Sequence, residues 1–372
     1  MMNYKTYILL LFILLIYSCK KDSNLHIPKE IDDLGYEFNE SYENNSLIKS
    51  NLKDGKIKLN DTLKIKVNAN KKDLSFELKT NNIIQKILPL EGKYNSSEEY
   101  KFLMKELTLG VKELIIKNDS LSEKINFTLL NDKTPKIYDY EIINVFDRAS
   151  NFYTQGFEFH NGVLYESTGL RGKSKLLKVD FKNGNVLKEY KLPSKYFAEG
   201  ITILNEKIYQ LSWTNKLGFI YDVNTFDKIN SFKYEKSLEG WGICNDGNKL
   251  YKSDGTEKIW TLNAESQIEE GYIEIYTNKN KVIGLNELEW IDGKIYANRY
   301  QFKGMAIIDP KNGAVEGVVD LSPLEKKVTQ HRKLDVINGI AFNKKRNSIF
   351  VTGKMWDKIF EIRIIERKWT NY

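Results

Sequence analysis

Five stretches of this sequence resemble one another, and at the same place in each stands a polar or aromatic residue: Gln155, Glu199, Trp241, Asn286 and Asn338. Further along the same stretches come Glu166, and then Trp213, Tyr300 and Lys354 at matching positions. Amides, carboxylates, a lysine and aromatic rings gathered at one place would form a polar pocket with stacking faces. Soft-metal chemistry is not indicated. Cys19 and Cys244 are far apart, and His26, His160 and His331 are scattered, so no zinc-ligand spacing is present and no metal site is expected.

The elements that would gather these groups are hairpins. The stretches begin QGFEFHNGVLYESTG, EGITILNEKIYQLSW, WGICNDGNKLYKSDG, NELEWIDGKIYANRY and NGIAFNKKRNSIFVTGK. In the first four, Tyr165, Tyr209, Tyr251 and Tyr296 fall at the same offset. Asn161-Gly162, Asp246-Gly247 and Asp292-Gly293 are tight hairpin turns between alternating strands. Starts recur every 40 to 50 residues or so, the period of propeller blades. Strand-like stretches at Leu176–Asp180 and Gly218–Asp222 raise each repeat to about four strands. The pattern predicts an all-β protein with a five-bladed β-propeller over residues 135–372. In that architecture the start of each first strand and the end of each second strand meet at one mouth of the central channel.

The rest of the chain reads as address, tether and spacer. An apolar run from Tyr7 to Tyr17 is too short to span a bilayer. It ends in Ile16-Tyr17-Ser18-Cys19, which resembles a bacterial lipobox. That resemblance implies a signal peptide over residues 1–19, lipidation of Cys19, and a membrane-anchored protein of the cell envelope, facing the periplasm or the outside. The mature chain would then hold a single cysteine, Cys244, and no intrachain disulfide. Residues 20–50 are polar and read as a flexible tether. Residues 51–134 alternate with period two, as in Leu63, Ile65 and Val67, and predict a small immunoglobulin-like β-sandwich. Lys133-Thr134-Pro135 marks its boundary. The net charge of +7 is spread along the chain with no basic stripe, which argues against nucleic acid as a partner.

The motifs also carry a resemblance. Tyr153-Thr154-Gln155-Gly156, Leu164-Tyr165-Glu166-Ser167-Thr168-Gly169, Ala198-Glu199-Gly200-Ile201, Leu211-Ser212-Trp213 and Glu239-Gly240-Trp241-Gly242 are similar to motifs of the plant-type, papaya-like glutaminyl cyclases. Ser253-Asp254-Gly255, Leu285-Asn286-Glu287-Leu288-Glu289-Trp290, Asn338-Gly339-Ile340-Ala341 and Val351-Thr352-Gly353-Lys354 continue the series in order. The resemblance implies conversion of N-terminal glutamine to pyroglutamate with loss of ammonia. It implies peptides or proteins with N-terminal glutamine as partners, a monomer, and no cofactor, with room for a structural calcium ion at the propeller axis. It makes Glu166 and Lys354 catalytic, Glu166 as acid/base. Tyr153, Gln155, Leu164, Trp213, Trp241, Asn286 and Tyr300 become substrate-binding. Three positions depart from the family pattern: Tyr153 replaces a Phe, Tyr300 replaces a Trp, and Asp357 replaces a Pro after Lys354-Met355-Trp356. Two other functions fit a propeller with these groups. One is a lactonase-like hydrolase holding calcium through Glu166, Glu199, Asn286 and Asn338. The other is a non-enzymatic binding propeller.

Overall fold

The computed structural model describes residues 48–67, 74–81, 83–90, 99–119 and 121–367. Cys19, the signal peptide and all but the end of the expected tether lie outside the described residues. The tether's last residues, Ile48–Ser50, form the first strand.

The described chain is all-β but for one short helix, α1 (Ser322–Glu325). Its N-terminal part has β1 (Ile48–Ser50), β2 (Lys56–Lys58), β3 (Thr62–Val67), β4 (Ser75–Thr80), β5 (Ile83–Lys86), β6 (Glu99–Leu103), β7 (Gly110–Asn118) and β8 (Leu121–Leu130). These make a three-stranded sheet, β1-β3-β6, and a five-stranded sheet, β2-β8-β7-β4-β5. Alternation decides which face is inward. Leu63 and Ile65 of one sheet and Phe76, Leu78, Leu114, Ile116, Phe127 and Leu129 of the other share one core, while the intervening lysines and glutamates turn outward. That core also takes in Tyr276 and Ala314 from far along the chain. Backbone bonds from Leu109 to the Asn312 carbonyl (2.8 Å) and from Asn131 to the Thr277 carbonyl (3.2 Å) fasten the N-terminal part to the rest.

From Lys136 onward the strands form three four-stranded sheets and one eight-stranded sheet, which divide into five successive units of four strands. The first is β10 (Thr154–His160), β11 (Val163–Thr168), β12 (Lys175–Asp180) and β13 (Asn185–Lys191). The second is β14 (Ala198–Leu204), β15 (Lys207–Ser212), β16 (Leu217–Asp222) and β17 (Lys228–Lys233). The third is β18 (Ile243–Asn245), β19 (Lys249–Ser253), β20 (Lys258–Asn263) and β21 (Glu269–Glu274). The fourth is β22 (Leu285–Ile291), β23 (Lys294–Arg299), β24 (Gly304–Ile308) and β25 (Val315–Asp320). The fifth combines β26 (Ile337–Asn343), β27 (Ser348–Gly353) and β28 (Lys358–Glu366) with β9 (Lys136–Asp147) as its outer strand. Strand β9 also pairs in parallel with β25, so the last two units join into one eight-stranded sheet. First strands touch in succession, and β26 touches β10, so the series closes on itself.

The recurring tyrosines knit neighbouring units. Tyr165 donates its hydroxyl to the Val223 carbonyl (3.5 Å) and Tyr209 to the Ala264 carbonyl (3.3 Å), each in the next unit. Where the first strands meet, they crowd. A Cβ on Gly242 would lie 1.9 Å from the Asn286 carbonyl oxygen, and one on Gly200 would lie 2.7 Å from that of Trp241. The fourth unit carries Glu287 where the others have glycine. Its carboxylate accepts the Phe157 N–H (3.2 Å) and the Ile340 N–H (2.9 Å), tying three first strands together.

Candidate active site

In four units the ladder between first and second strands is irregular at the same place. The shifts fall between Thr154 and Gly156, Ala198 and Ile201, Leu285 and Leu288, and Ile337 and Ile340. An irregularity of this kind re-aims side chains out of the ladder. The residues it frees are Gln155, Glu199, Asn286 and Asn338, all buried. Gln155 Nε2 donates to Glu199 Oε1 (3.2 Å), and Asn338 Nδ2 donates to Gln155 Oε1 (3.2 Å). The Asn286 Oδ1 is buried with no partner among the described residues, an acceptor left for a donor from elsewhere.

Around this floor runs a chain of rings. Lys354 Nζ lies 4.9 Å from the Tyr153 ring centre and 5.5 Å from that of Tyr300. Tyr300 meets Trp241 edge-on at 5.9 Å. The Trp241 and Trp213 indole N–H groups both donate to Glu239 Oε2. Trp213 packs on Phe197 at 5.5 Å, and Phe197 on Tyr153 at 6.2 Å, which closes the circuit. Tyr153 is fixed by its hydroxyl bond to Asp335 (2.9 Å). Tyr300 is 40% exposed, so the circuit opens to solvent on that side.

Electrostatics single out two groups. Burial raises the Glu199 carboxyl well above the usual carboxylate range; Lys354 works against that shift and Glu239 adds to it. Burial lowers the Lys354 ammonium, with Glu199 and Asp335 opposing. A buried carboxyl of raised pKa can both accept and return a proton.

Two expected site residues are placed elsewhere. Glu166 is 1% exposed and closed off. Arg148 Nη2 donates to both of its oxygens (2.8 and 2.9 Å), and the Thr154 hydroxyl donates to Oε1 (2.7 Å). Both of its oxygens are thus engaged by Arg148, and Oε1 by Thr154 as well, whereas Glu199 meets a single amide. Leu164 is fully buried in a core of Phe157, Leu177 and Phe350, so it lines no pocket. Tyr153, Gln155, Trp213, Trp241, Tyr300 and Lys354 are linked through the contacts above, and Asn286 shares the register of Gln155.

The glutamine cyclotransferase family model matches residues 114–364. The chain belongs to the glutamine cyclotransferase family. A glutaminyl-peptide cyclotransferase of Arabidopsis thaliana is 37% identical over 237 residues, 63% of this chain and 73% of that protein. The crystal structure of the Myxococcus xanthus glutaminyl cyclase superposes with a TM-score of 0.59 at 32% identity, covering 63% of this chain and 100% of that one.

Sequence reasoning gave Glu199 only a place in the repeat and a part in the calcium alternative, and it gave Glu239 no role. A signal for Glu199 was present. It shares its register with Gln155, Asn286 and Asn338, whereas Glu166 shares its register with Gln210 and Lys252, one residue after the recurring tyrosine. Those two are also buried: Gln210 Nε2 donates to the Ser167 hydroxyl (2.8 Å), and Lys252 Nζ lies 3.3 Å from Glu269.

Proposed function

We propose that this chain is a glutaminyl-peptide cyclotransferase, converting an N-terminal glutamine to pyroglutamate with release of ammonia, and that Glu199 is its acid/base. The observation that carries the reading is a single buried carboxyl of raised pKa, beside Lys354 and Gln155, inside a circuit of aromatic rings.

The substrate supplies its own nucleophile. Its α-nitrogen attacks the side-chain amide carbon, a C–N bond forms, and a five-membered ring closes. Holding the side chain curled does much of the work, because well-oriented intramolecular attack is intrinsically fast. A peptide α-amine has a pKa of about 7.7–8, and its neutral form is the one that attacks. As the C–N bond forms, that nitrogen gives up one of its two protons to ionised Glu199. Lys354, and the amide of Gln155, stabilise the oxyanion on the former carbonyl oxygen. The unpartnered Asn286 Oδ1 accepts from the substrate's amide or amine N–H. When the tetrahedral adduct collapses, the bond to the side-chain nitrogen breaks. Glu199 returns the proton to it, and ammonia leaves. Trp213, Trp241, Tyr153 and Tyr300 hold the chain end between their faces.

The finer architecture is part of the same proposal. The closed succession of five four-stranded units supports a five-bladed propeller. The two sheets around one core support an immunoglobulin-like sandwich ahead of it. Cleavage before Cys19 and lipidation there would hold the enzyme at a bacterial membrane, within the envelope, as a monomer acting on exported peptides.

The test is incubation of the purified chain from residue 20 onward with a Gln-initiated peptide. Loss of one ammonia by mass, absent when the peptide is N-acetylated, is the expected result. No mass change would overturn the reading.

A further inference from the structure

Beside the aromatic circuit lies a second hollow, a cleft of about 510 Å³. It shares Tyr153 with the pocket, and its lining includes Lys173, Lys175, Lys191, Lys333 and His331 but no Asp or Glu. The chain's positive charge is otherwise dispersed, so four lysines around one opening with no carboxylate among them are a local concentration. Lys175 is neutralised by Glu189 at 2.7 Å. Lys173, Lys191 and Lys333 are exposed and make no ion pair among the described residues. His331 braces the far wall: its Nδ1 accepts the Lys333 backbone N–H (3.2 Å), and its Nε2 meets the Met355 carbonyl (2.9 Å).

We propose that this cleft receives acidic residues of the substrate polypeptide that follow its N-terminal glutamine, which makes the enzyme selective for acidic N-terminal segments; this rests on the cyclotransferase reading above. A chain whose first residue is held inside the circuit must leave past one of its walls. Tyr153 is the wall common to both hollows. Charge complementarity at such a rim acts on encounter and specificity, and salt screens it. Contiguity with the pocket favours a substrate segment over a membrane surface, because occupancy of the cleft and of the pocket then belong to one ligand.

The experiment compares Gln-initiated peptides bearing three acidic or three lysine residues from the third position. It uses the intact protein and its K173E/K191E/K333E variant, at low and high salt. The intact protein should favour the acidic peptide by about tenfold in kcat/KM at low salt, with the preference shrinking as salt rises. The variant should lose or reverse that preference, yet cyclise a Gln-initiated dipeptide amide as before. No preference in the intact protein, or an unchanged preference in the variant, would overturn the proposal. A fluorescent N-acetylated acidic peptide, which cannot cyclise, gives a separate readout by anisotropy. If no peptide is cyclised, the activity reading fails, and this binding, lost or kept in the variant, still decides the cleft. Loss of binding to anionic vesicles with acidic-peptide binding kept would overturn the proposal in favour of a membrane contact.

Discussion

Between the first and fifth units, Glu166 meets Arg148 with both oxygens and a hydroxyl besides. At the pocket, one repeat further on, Glu199 meets one amide N–H and feels a lysine across the opening. Both carboxyls are buried, and both follow from the same five-fold repetition. In the first region the Glu166 charge is met by Arg148, although the Arg148 Nε is itself left without a partner among the described residues. In the second the carboxyl is raised, the lysine lowered, and no group among the described residues meets the Asn286 Oδ1. A buried carboxylate met by a cation reads as structure, and one of raised pKa beside a lysine reads as chemistry.

This contrast can be broken from either side. The largest expected effect is on folding. Glu166→Ala leaves Arg148 buried and uncompensated and should cost about 3–5 kcal/mol in denaturant unfolding. Replacing both partners with apolar residues of similar size should recover most of that loss. A Glu166→Ala protein of unchanged stability would show the pair to be dispensable.

At the pocket, Lys354→Met should lower kcat by about 10²–10³, the scale of losing one oxyanion donor. Melting should hold or improve, since a desolvated ammonium is removed. Steady-state kinetics beside calorimetry separates the two effects, and a melting loss with full turnover would reverse the assignment.

A third carboxyl group sharpens the comparison through pH. Glu158, Glu287 and Glu289 are buried close to one another; burial raises Glu158 to about 8 and lifts the other two well above the usual range. A carboxyl raised on folding contributes stability that is complete below its unfolded pKa and is lost as pH climbs through the folded one. Thermal stability should therefore fall as pH rises from about 4.5 toward 8. Glu158→Gln should flatten part of that slope. Lys112 and Lys252, each lowered by burial to about 8, act in the opposite sense and only above that pH. A melting temperature that rises across the acid range would contradict the account.

The smallest effect belongs to Glu239. Its carboxylate holds both indoles and adds to the raised pKa of Glu199. Glu239→Gln should raise KM more than it lowers kcat, and it should shift the acid limb of the pH–rate profile downward. A pure stability loss with an unmoved profile would reduce Glu239 to scaffolding.

Much of this was legible in the residues. The spacing of the tyrosines and of the Asn-Gly and Asp-Gly turns gave the hairpins and their number, because turn chemistry and period are local. Gln155, Asn286, Trp213, Trp241, Tyr300 and Lys354 were legible from their repeat positions, since repetition sends equivalent residues to equivalent places. The partner of Glu166 was not legible. Arg148 lies beyond the end of β9, outside the repeat, and reaches Glu166 only because β9 completes the fifth unit beside β28. Leu164 failed for a related reason. On a strand packed on both faces, being adjacent to a motif does not say which neighbour a side chain meets. Glu239 escaped notice because its work is to hold two tryptophans brought from different units, a long-range contact that no spacing announces.

The most direct measurement is ammonia release from one Gln-initiated peptide by the Glu166→Gln and Glu199→Gln proteins, side by side and corrected for folded fraction. The account predicts near-normal release from the first and a loss of about 10²–10⁴ from the second. Full release from Glu199→Gln, with loss in Glu166→Gln, would contradict it.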